Sequence, residues 1–237
     1  MTRLDPEEWA RVHDRREPRH FAFRRGLELC LERCGPRVRP GELWVDVGSG
    51  TGHLSRALAD RGARVVGLDL DPAMALYAHR RWSQPFAVSN AASLALRDGA
   101  CAGVVAISLL GCLPGPRELA GFLTEAARVL APGGTLCLSA MNRRSLLLAI
   151  GKTWSWPARL RSGRYTAYDP AALADELRRA GFIVEEQIFY GHFFAAGPLA
   201  LPRPETALRL ERAVSPGGLG GGSLWARQIL LLARRAA

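Results

Sequence analysis

An apolar run, Trp44-Val45-Asp46-Val47, leads into three glycines set two apart in Gly48-Ser49-Gly50-Thr51-Gly52, and His53 follows. No other stretch constrains the fold as much. Apolar residues on both sides of Asp46 predict a strand buried on both faces, as central parallel strands are. The glycines predict a turn at its carboxyl end, where a ligand can approach the backbone. A second apolar run, Val65-Val66-Gly67-Leu68, ends on Asp69. An acid about 20 residues beyond a glycine turn is placed to grip both hydroxyls of a ribose. The NAD fingerprint does not fit, because its third glycine would fall at position 53, where His53 stands.

The rest of the chain alternates between helix and strand signals. Residues 7 to 34 read as one or two helices, with Phe21, Phe23, Leu27, Cys30, Leu31 and Cys34 on an apolar stripe. Pro36, Pro40 and Gly41 break that pattern. Strands are predicted at 43–47, 64–69, 86–90, 102–109, 135–140, 182–189 and 224–232, with a turn at Pro132-Gly133-Gly134. Helices are predicted at 53–61, after the Asp71-Pro72 cap, at 118–130, and at 170–180 behind an Asp169 cap. This alternation predicts a parallel sheet with right-handed crossovers.

The order acid-x-Gly-x-Gly-x-Gly resembles motif I of the class I S-adenosylmethionine-dependent methyltransferases. Further segments carry the same resemblance: Gly67-Leu68-Asp69-Leu70-Asp71-Pro72-Ala73-Met74, Ala126 to Gly134, and Asp169 to Glu185. It implies an α/β fold of Rossmann-like methyltransferase type, a seven-stranded, mostly parallel sheet flanked by helices with the last strand antiparallel. Residues 1–237 form a single methyltransferase domain in this reading. Residues 1–40 are N-terminal helices covering the site, and 143–168 are a lid-like insertion.

The resemblance also implies a cofactor, S-adenosylmethionine, and a set of contacts. Gly48, Ser49, Gly50 and Gly52 leave room for its methionine part. Asp46 anchors the loop or meets the amino group through water. Asp69 accepts from both ribose hydroxyls, since a carboxylate accepts without donating. Leu70 and Met74 flank the adenine, although a Met at that helical spacing also suits the core. Asn90 and Ala91 stand where the family commonly places an acid for the adenine amino group; an Asn carbonyl can take that role. Ser108 closes the fourth strand, where the transferable methyl points.

Composition narrows the acceptor. The net charge of +10 comes almost wholly from arginine, and lysine occurs once, at Lys152. From Met141 to Tyr168 there are basic residues but no acid: Arg143, Arg144, Lys152, Arg159, Arg161 and Arg164, mixed with Leu146, Leu147, Leu148, Ile150, Trp154 and Trp156. This block predicts an apolar pocket wall with a basic rim, for a small or lipid-like acceptor with an acidic or polar head. Peripheral contact with anionic membrane is a second use of the same block. The signatures of amino methylation on adenine, of cytosine C5 methylation and of a catechol-type metal set are not found. The preferred reading is therefore metal-independent O-, C- or N-methylation by in-line attack. An RNA or tRNA methyltransferase, favoured by the charge, and a cofactor-binding protein without transferase activity stand as alternatives. Nucleic acid is the less favoured partner, and a monomer or homodimer is expected.

Cys30 and Cys34 are spaced to share a helix face and read as core residues, while Cys101, Cys112 and Cys137 read as unpaired. A structural zinc site needs about four ligands. No apolar signal segment opens the chain, and the expected location is cytoplasmic. For a base near the methyl, His192 in Phe189-Tyr190-Gly191-His192-Phe193-Phe194 is the first candidate, because imidazole takes a proton near neutral pH. Tyr168, read as opening the helix before that strand, is a second residue for orienting the acceptor. His53 reads as structural or near the cofactor, His79 as an exposed helix end, and His13 and His20 as part of the cover.

Overall fold

The computed structural model describes residues 6–16, 21–147, 149, 165–192, 204–214 and 222–237. Its centre is one mixed sheet. The strands are β1 (Leu43–Val47), β2 (Arg64–Asp69), β3 (Phe86–Val88), β4 (Cys101–Ala106), β5 (Leu130–Asn142), β6 (Ala167–Tyr168), β7 (Phe182–Tyr190) and β8 (Gln228–Arg235). Their spatial order is β3-β2-β1-β4-β5-β8-β7, and the two-residue β6 pairs with β5 off this path. All pairings are parallel except those of β8, which runs antiparallel to both β5 and β7. The expected seven-stranded sheet with an antiparallel last strand is present, with β6 as an extra strand.

The helices are α1 (Pro6–Arg16), α2 (Phe21–Cys34), α3 (His53–Ala59), α4 (Pro72–Trp82), α5 (Pro116–Val129), α6 (Pro170–Arg179), α7 (Pro204–Val214) and the short α8 (Gly222–Trp225). Two starts follow from local chemistry. The Asp71 carboxylate accepts from the Ala73 N–H, and the Asp169 carboxylate accepts from Ala171 and Ala172, each with proline in the first turn. Among the described residues, no helix is long and apolar enough to cross a membrane.

Strand alternation divides the core into two layers. On one face, Val45, Val47, Val104, Ala106, Leu136, Leu138 and Leu231 meet Phe122 and Leu123 of α5 and Leu173 and Leu177 of α6. On the other face, Trp44, Val105, Cys137, Leu230 and Leu232 meet Leu29, Cys30 and Cys34 of α2 and Leu54 and Leu58 of α3. Cys137, read as unpaired from sequence, thus lies in the same layer as Cys30 and Cys34.

Several boundaries differ from the sequence reading. The turn at Pro132-Gly133-Gly134 is an interruption inside β5: Cys101 pairs with Leu130, but Gly103 already pairs with Thr135. Gly133 takes a φ of +76°, which suits glycine. The last strand starts at Gln228, not Leu224, because residues 222–225 turn as α8 first. β4 ends at Ala106, so Ser108 and Leu109 belong to the loop beyond it. Tyr168 sits in β6, and the following helix starts after Asp169. Most of the 143–168 block, with Leu148, Ile150, Lys152, Trp154, Trp156, Arg159, Arg161 and Arg164, lies outside the described residues, as does His20.

Gly103 allows β4 to pass beneath Trp44: a Cβ there would lie 2.3 Å from the indole ring. Gly103→Ala is expected to cost about 1–3 kcal/mol through overpacking. Thermal unfolding reads this as a lower Tm, and an unchanged Tm would show that the layer gives way freely.

Candidate active site

The sheet order reverses between β2 and β4 on either side of β1, and ligands of open α/β sheets bind in the crevice outside such a switch point. The glycine loop leaves β1 there. Gly48, Gly50 and Gly52 all have positive φ, at 73°, 51° and 82°. At Gly48 glycine is needed twice over, since a Cβ would also lie 2.9 Å from the Leu109 side chain. The N–H groups of Gly48 and Ser49 both donate to the Leu68 carbonyl, at 2.7 and 3.0 Å, which ties the loop to β2.

Asp69 completes the cradle at the end of β2. Its Oδ2 accepts from the Gly50 N–H at 2.8 Å, and its Oδ1 accepts from the Asp71 N–H at 2.9 Å. The backbone therefore holds the carboxylate with one bond to each oxygen and leaves further lone pairs for a diol. Burial pushes this carboxyl above its ordinary range, against the hydrogen bonds from Asp71 and Gly50.

Asp46 lies beneath the loop, 2% exposed, and accepts the Ser55 hydroxyl at 2.6 Å. Burial pushes its carboxyl up to about 7, although the Ser55 bond lowers it. Ser55 left no trace in the sequence reading, because the contact arises from where α3 packs. Ser49 turns inward: its nearly buried hydroxyl has no hydrogen-bond partner among the described residues, and a Cβ on Gly67 would approach it to 3.1 Å.

The other sequence-derived positions divide. Leu70 is 69% exposed at the mouth, as an adenine cover would be, whereas Met74 is buried in the core. The Asn90 carbonyl accepts from the Ala92 N–H at 2.9 Å, so its side chain already closes a local turn. Arg128 of α5 holds the following loop through the carbonyls of Leu94 and Leu96, with Ala91 packed at the edge of the core. Ser108 is exposed just past β4 with φ +65°, an uncommon value for a non-glycine residue. Its N–H donates to the buried Ser139 hydroxyl at 2.8 Å, a partner the sequence reading missed. Cys112 stands at the same mouth, where crowding and the Asp69 charge push its thiol up.

Tyr168 donates its hydroxyl to the Leu110 carbonyl at 3.0 Å, and its neighbour Thr166 bonds Gly111 and Leu113. Its position braces the loop beyond β4. The Arg143 N–H meets the Tyr168 carbonyl at 2.9 Å, so residues 143 and 168 are joined beside β5.

His192 follows β7, three strands from β4. Its Nδ1 is 2.9 Å from Glu211 Oε1, and Glu211, fully buried on α7, also accepts from the N–H groups of Gly191 and His192. Burial raises the Glu211 carboxyl, but the His192 ring and these N–H bonds outweigh it and hold it below the ordinary value. Arg227 donates to the Gly191 carbonyl at 3.0 Å, and burial lowers its guanidinium to about 10. The sequence reading found His192 but not Glu211, which the chain supplies 19 residues later.

At the cofactor end, Asp14 of α1 reaches His53 Nε2 at 3.0 Å and the Tyr77 hydroxyl at 3.1 Å, and pairs with Arg81. Burial lowers the His53 imidazole, while Asp14 opposes that shift. The acid thus ties α1 to the residue just after the glycine loop and to α4. Within α2, by contrast, Leu29, Cys30 and Cys34 pack into the core against the sheet.

Residues 45–138 match the methyltransferase-domain family. A ubiquinone biosynthesis O-methyltransferase from Xanthomonas axonopodis pv. citri (strain 306) is 32% identical over 168 residues, covering 66% of this chain and 69% of that protein. The chain belongs to the class I S-adenosylmethionine-dependent methyltransferases. S-adenosylmethionine is the cofactor of this methyltransferase, and the Asp69 carboxylate, held by the Gly50 and Asp71 N–H groups at the end of β2, fits it. The chain spans only 41% of the length of a demethylmenaquinone methyltransferase from Tropheryma whipplei (strain Twist), at 38% identity over 103 residues. The fold resembles a putative methyltransferase solved with the Haloferax volcanii Trm112 activator, with a TM-score of 0.67, 21% identity and full coverage of both chains. It also resembles magnesium protoporphyrin IX methyltransferase from Synechocystis PCC 6803, with a TM-score of 0.59, 20% identity and 89% and 82% coverage.

The raised Asp46 carboxyl makes the ligand-free methyltransferase sensitive to pH. The unfolded group titrates near 3.8 and the folded one near 7. Its stabilising contribution is complete below the unfolded value and is lost as pH rises through the folded one. Asp46→Asn removes that loss. Between about pH 4 and about pH 8, wild type is expected to weaken relative to the variant by at most on the order of 4 kcal/mol. Urea unfolding across this range measures the difference; parallel stability curves would dismiss it.

Proposed function

We propose that this methyltransferase transfers the methyl of S-adenosylmethionine to a small or lipid-like organic acceptor by in-line attack, without a catalytic metal. The bound cofactor supplies an electrophilic methyl on a sulfonium. The chain's residues hold donor and acceptor in line, and alignment of this kind accounts for much of the rate of such a transfer. In this reading the glycine loop receives the methionine part, Asp69 the ribose diol, Leu70 one face of the adenine, and the Asn90-Ala91 turn its edge. Ser108 and Cys112 border the place where the methyl is passed.

The observation that supports the acceptor class is the apolar character of the segments beyond β5. Leu146, Leu224 and Trp225 are 44%, 43% and 53% exposed, and Asn142 joins the two segments by donating to the Ala226 carbonyl at 2.8 Å. Exposed apolar side chains on two segments joined beyond β5 suit an apolar ligand. The curated relatives named for ubiquinone and menaquinone methylation support the same class. Part of the arginine charge that would favour nucleic acid is paired with neighbouring acids, as in Arg37–Glu185, Arg33–Glu186, Arg128–Asp98 and Arg212–Glu28.

For a hydroxyl or acidic carbon, His192 is the proposed base. A carboxylate only accepts, so Glu211 selects the tautomer with the proton on Nδ1 and leaves Nε2 able to receive one. Three strand spacings of about 4.8 Å put His192 roughly 14 Å from β4, too far for direct transfer from a group attacking the methyl there, so in this reading the proton travels to His192 along a chain of waters. Tyr168 orients the acceptor through the loop it braces.

Asp69→Ala is expected to weaken S-adenosylmethionine binding roughly 10- to 100-fold, as loss of hydrogen bonds to a charged group does. Isothermal calorimetry on the folded protein measures this, and absence of binding by wild type would sink the cofactor reading. Mass spectrometry of quinol precursors and lipid extracts incubated with protein and cofactor identifies the acceptor by the gain of one CH2. With that acceptor, His192→Ala is expected to lower kcat by about 10²–10⁴ with little change in cofactor affinity. Full activity of the variant from about pH 6 to about pH 9 would remove His192 from the mechanism.

A further inference from the structure

Three thiols far apart in the sequence meet on the sheet face that carries α2 and α3. Cys30 and Cys34 lie one turn apart on α2, and Cys137 projects from the middle of β5 into the same layer. All three are fully buried. Their sulfurs lie within 4.8 Å of one another, and those of Cys30 and Cys34 are 4.0 Å apart.

Three sulfurs placed in a plane around an ion at about 2.3 Å sit about 4.0 Å from each other. One edge of the observed triangle already has that length, and the others need to shorten by less than 1 Å. No fourth His, Cys, Asp or Glu joins the set among the described residues. Leu29, Trp44, Leu58, Val105 and Leu230 belong to the same apolar cluster. Zinc takes four ligands in structural sites, whereas thiolates alone, without oxygen or imidazole, select soft ions.

We propose that Cys30, Cys34 and Cys137 form a three-coordinate thiolate site for a soft monovalent ion of the Cu(I) type, separate from the methyl-transfer cleft. Three Cu–S bonds form as three thiol protons leave to solvent, and no group changes oxidation state. Two negative charges remain, and burying them opposes binding. The Arg37 charge reaches both Cys34 and Cys137, but Arg37 is paired with Glu185 and the Glu186 charge acts against it at Cys34, so it offsets only a small part of this. Because protons are released, loading strengthens as pH rises. A bound ion would clamp α2 to β5 at the centre of the sheet.

The test uses the full chain, reduced and free of oxygen, with Cys112→Ser to remove the exposed thiol. Cu(I) is titrated in competition with a chromogenic Cu(I) chelator. One equivalent held per chain, a sulfur-to-copper charge-transfer band in the near ultraviolet and three sulfur neighbours by X-ray absorption are expected. Adding Cys137→Ser is expected to weaken binding by more than the roughly 10- to 100-fold that losing a residue supporting a ligand costs. Failure to hold Cu(I) against the chelator, or equal retention after Cys137→Ser, overturns the proposal and leaves three core thiols. If Cys137→Ser does not fold, the sulfur count decides: two or fewer neighbours overturns it. None of these readouts depends on the cofactor or the acceptor.

Discussion

The bond from the Gly50 N–H to the Asp69 carboxylate is the contact on which the site depends. It forms only because β1 and β2 lie side by side in parallel, with Val47 opposite Leu68. That register brings the end of one strand's loop to the acid that ends the other. The Leu68 carbonyl then takes the N–H groups of both Gly48 and Ser49, so the loop can neither swing away nor extend as a strand. Positive φ at the three glycines is the conformational cost of that arrangement, and glycine carries it without strain. Asp46 and Ser55 support the loop from below and lock α3 to β1.

The sheet end beyond β5 is built on a different principle. Here backbone joins are the organising contacts. Arg143 meets Tyr168, Thr166 meets Gly111, and Asn142 meets both Arg227 and Ala226. These bonds hold Arg143, Thr166 and Tyr168 and the segment before β8 around the carboxyl end of β5. The His192–Glu211–Arg227 cluster closes the far end, with a buried acid supplying the order that an apolar core would not.

The two core layers differ in chemistry as well as in position. The layer under α5 and α6 is almost wholly aliphatic and aromatic, with Phe122, a line of leucines and a single sulfur at Cys101. The layer under α2 mixes Trp44 and leucines with three sulfurs. Small side chains there let α2 approach the strands closely. At Gly26, a Cβ would stand 2.7 Å from the Tyr190 hydroxyl. The N-terminal helices therefore do unlike work: α2 belongs to the core, whereas α1 is joined to the cofactor end through Asp14.

Strand positions, the glycine loop, the Asp69 acid and the Asp71 and Asp169 caps were legible in the sequence because each rests on local rules. These are burial on both faces, positive φ and a side chain reaching two residues along. Boundaries failed where local signals compete with pairing, as at residues 224–232, whose apolar text serves a helical turn before a strand. The burial of Met74 and Ser49 follows from the packing of α4 and of the loop, which local signals do not record. Only tertiary structure brought Ser55 to Asp46, Asp14 to His53, Glu211 to His192, and Cys137 to Cys30 and Cys34. These partners are 9 to more than 100 residues apart in the chain. No periodicity or spacing records such contacts, because they follow from which sheet face and which helix turn each side chain occupies once the strands have closed.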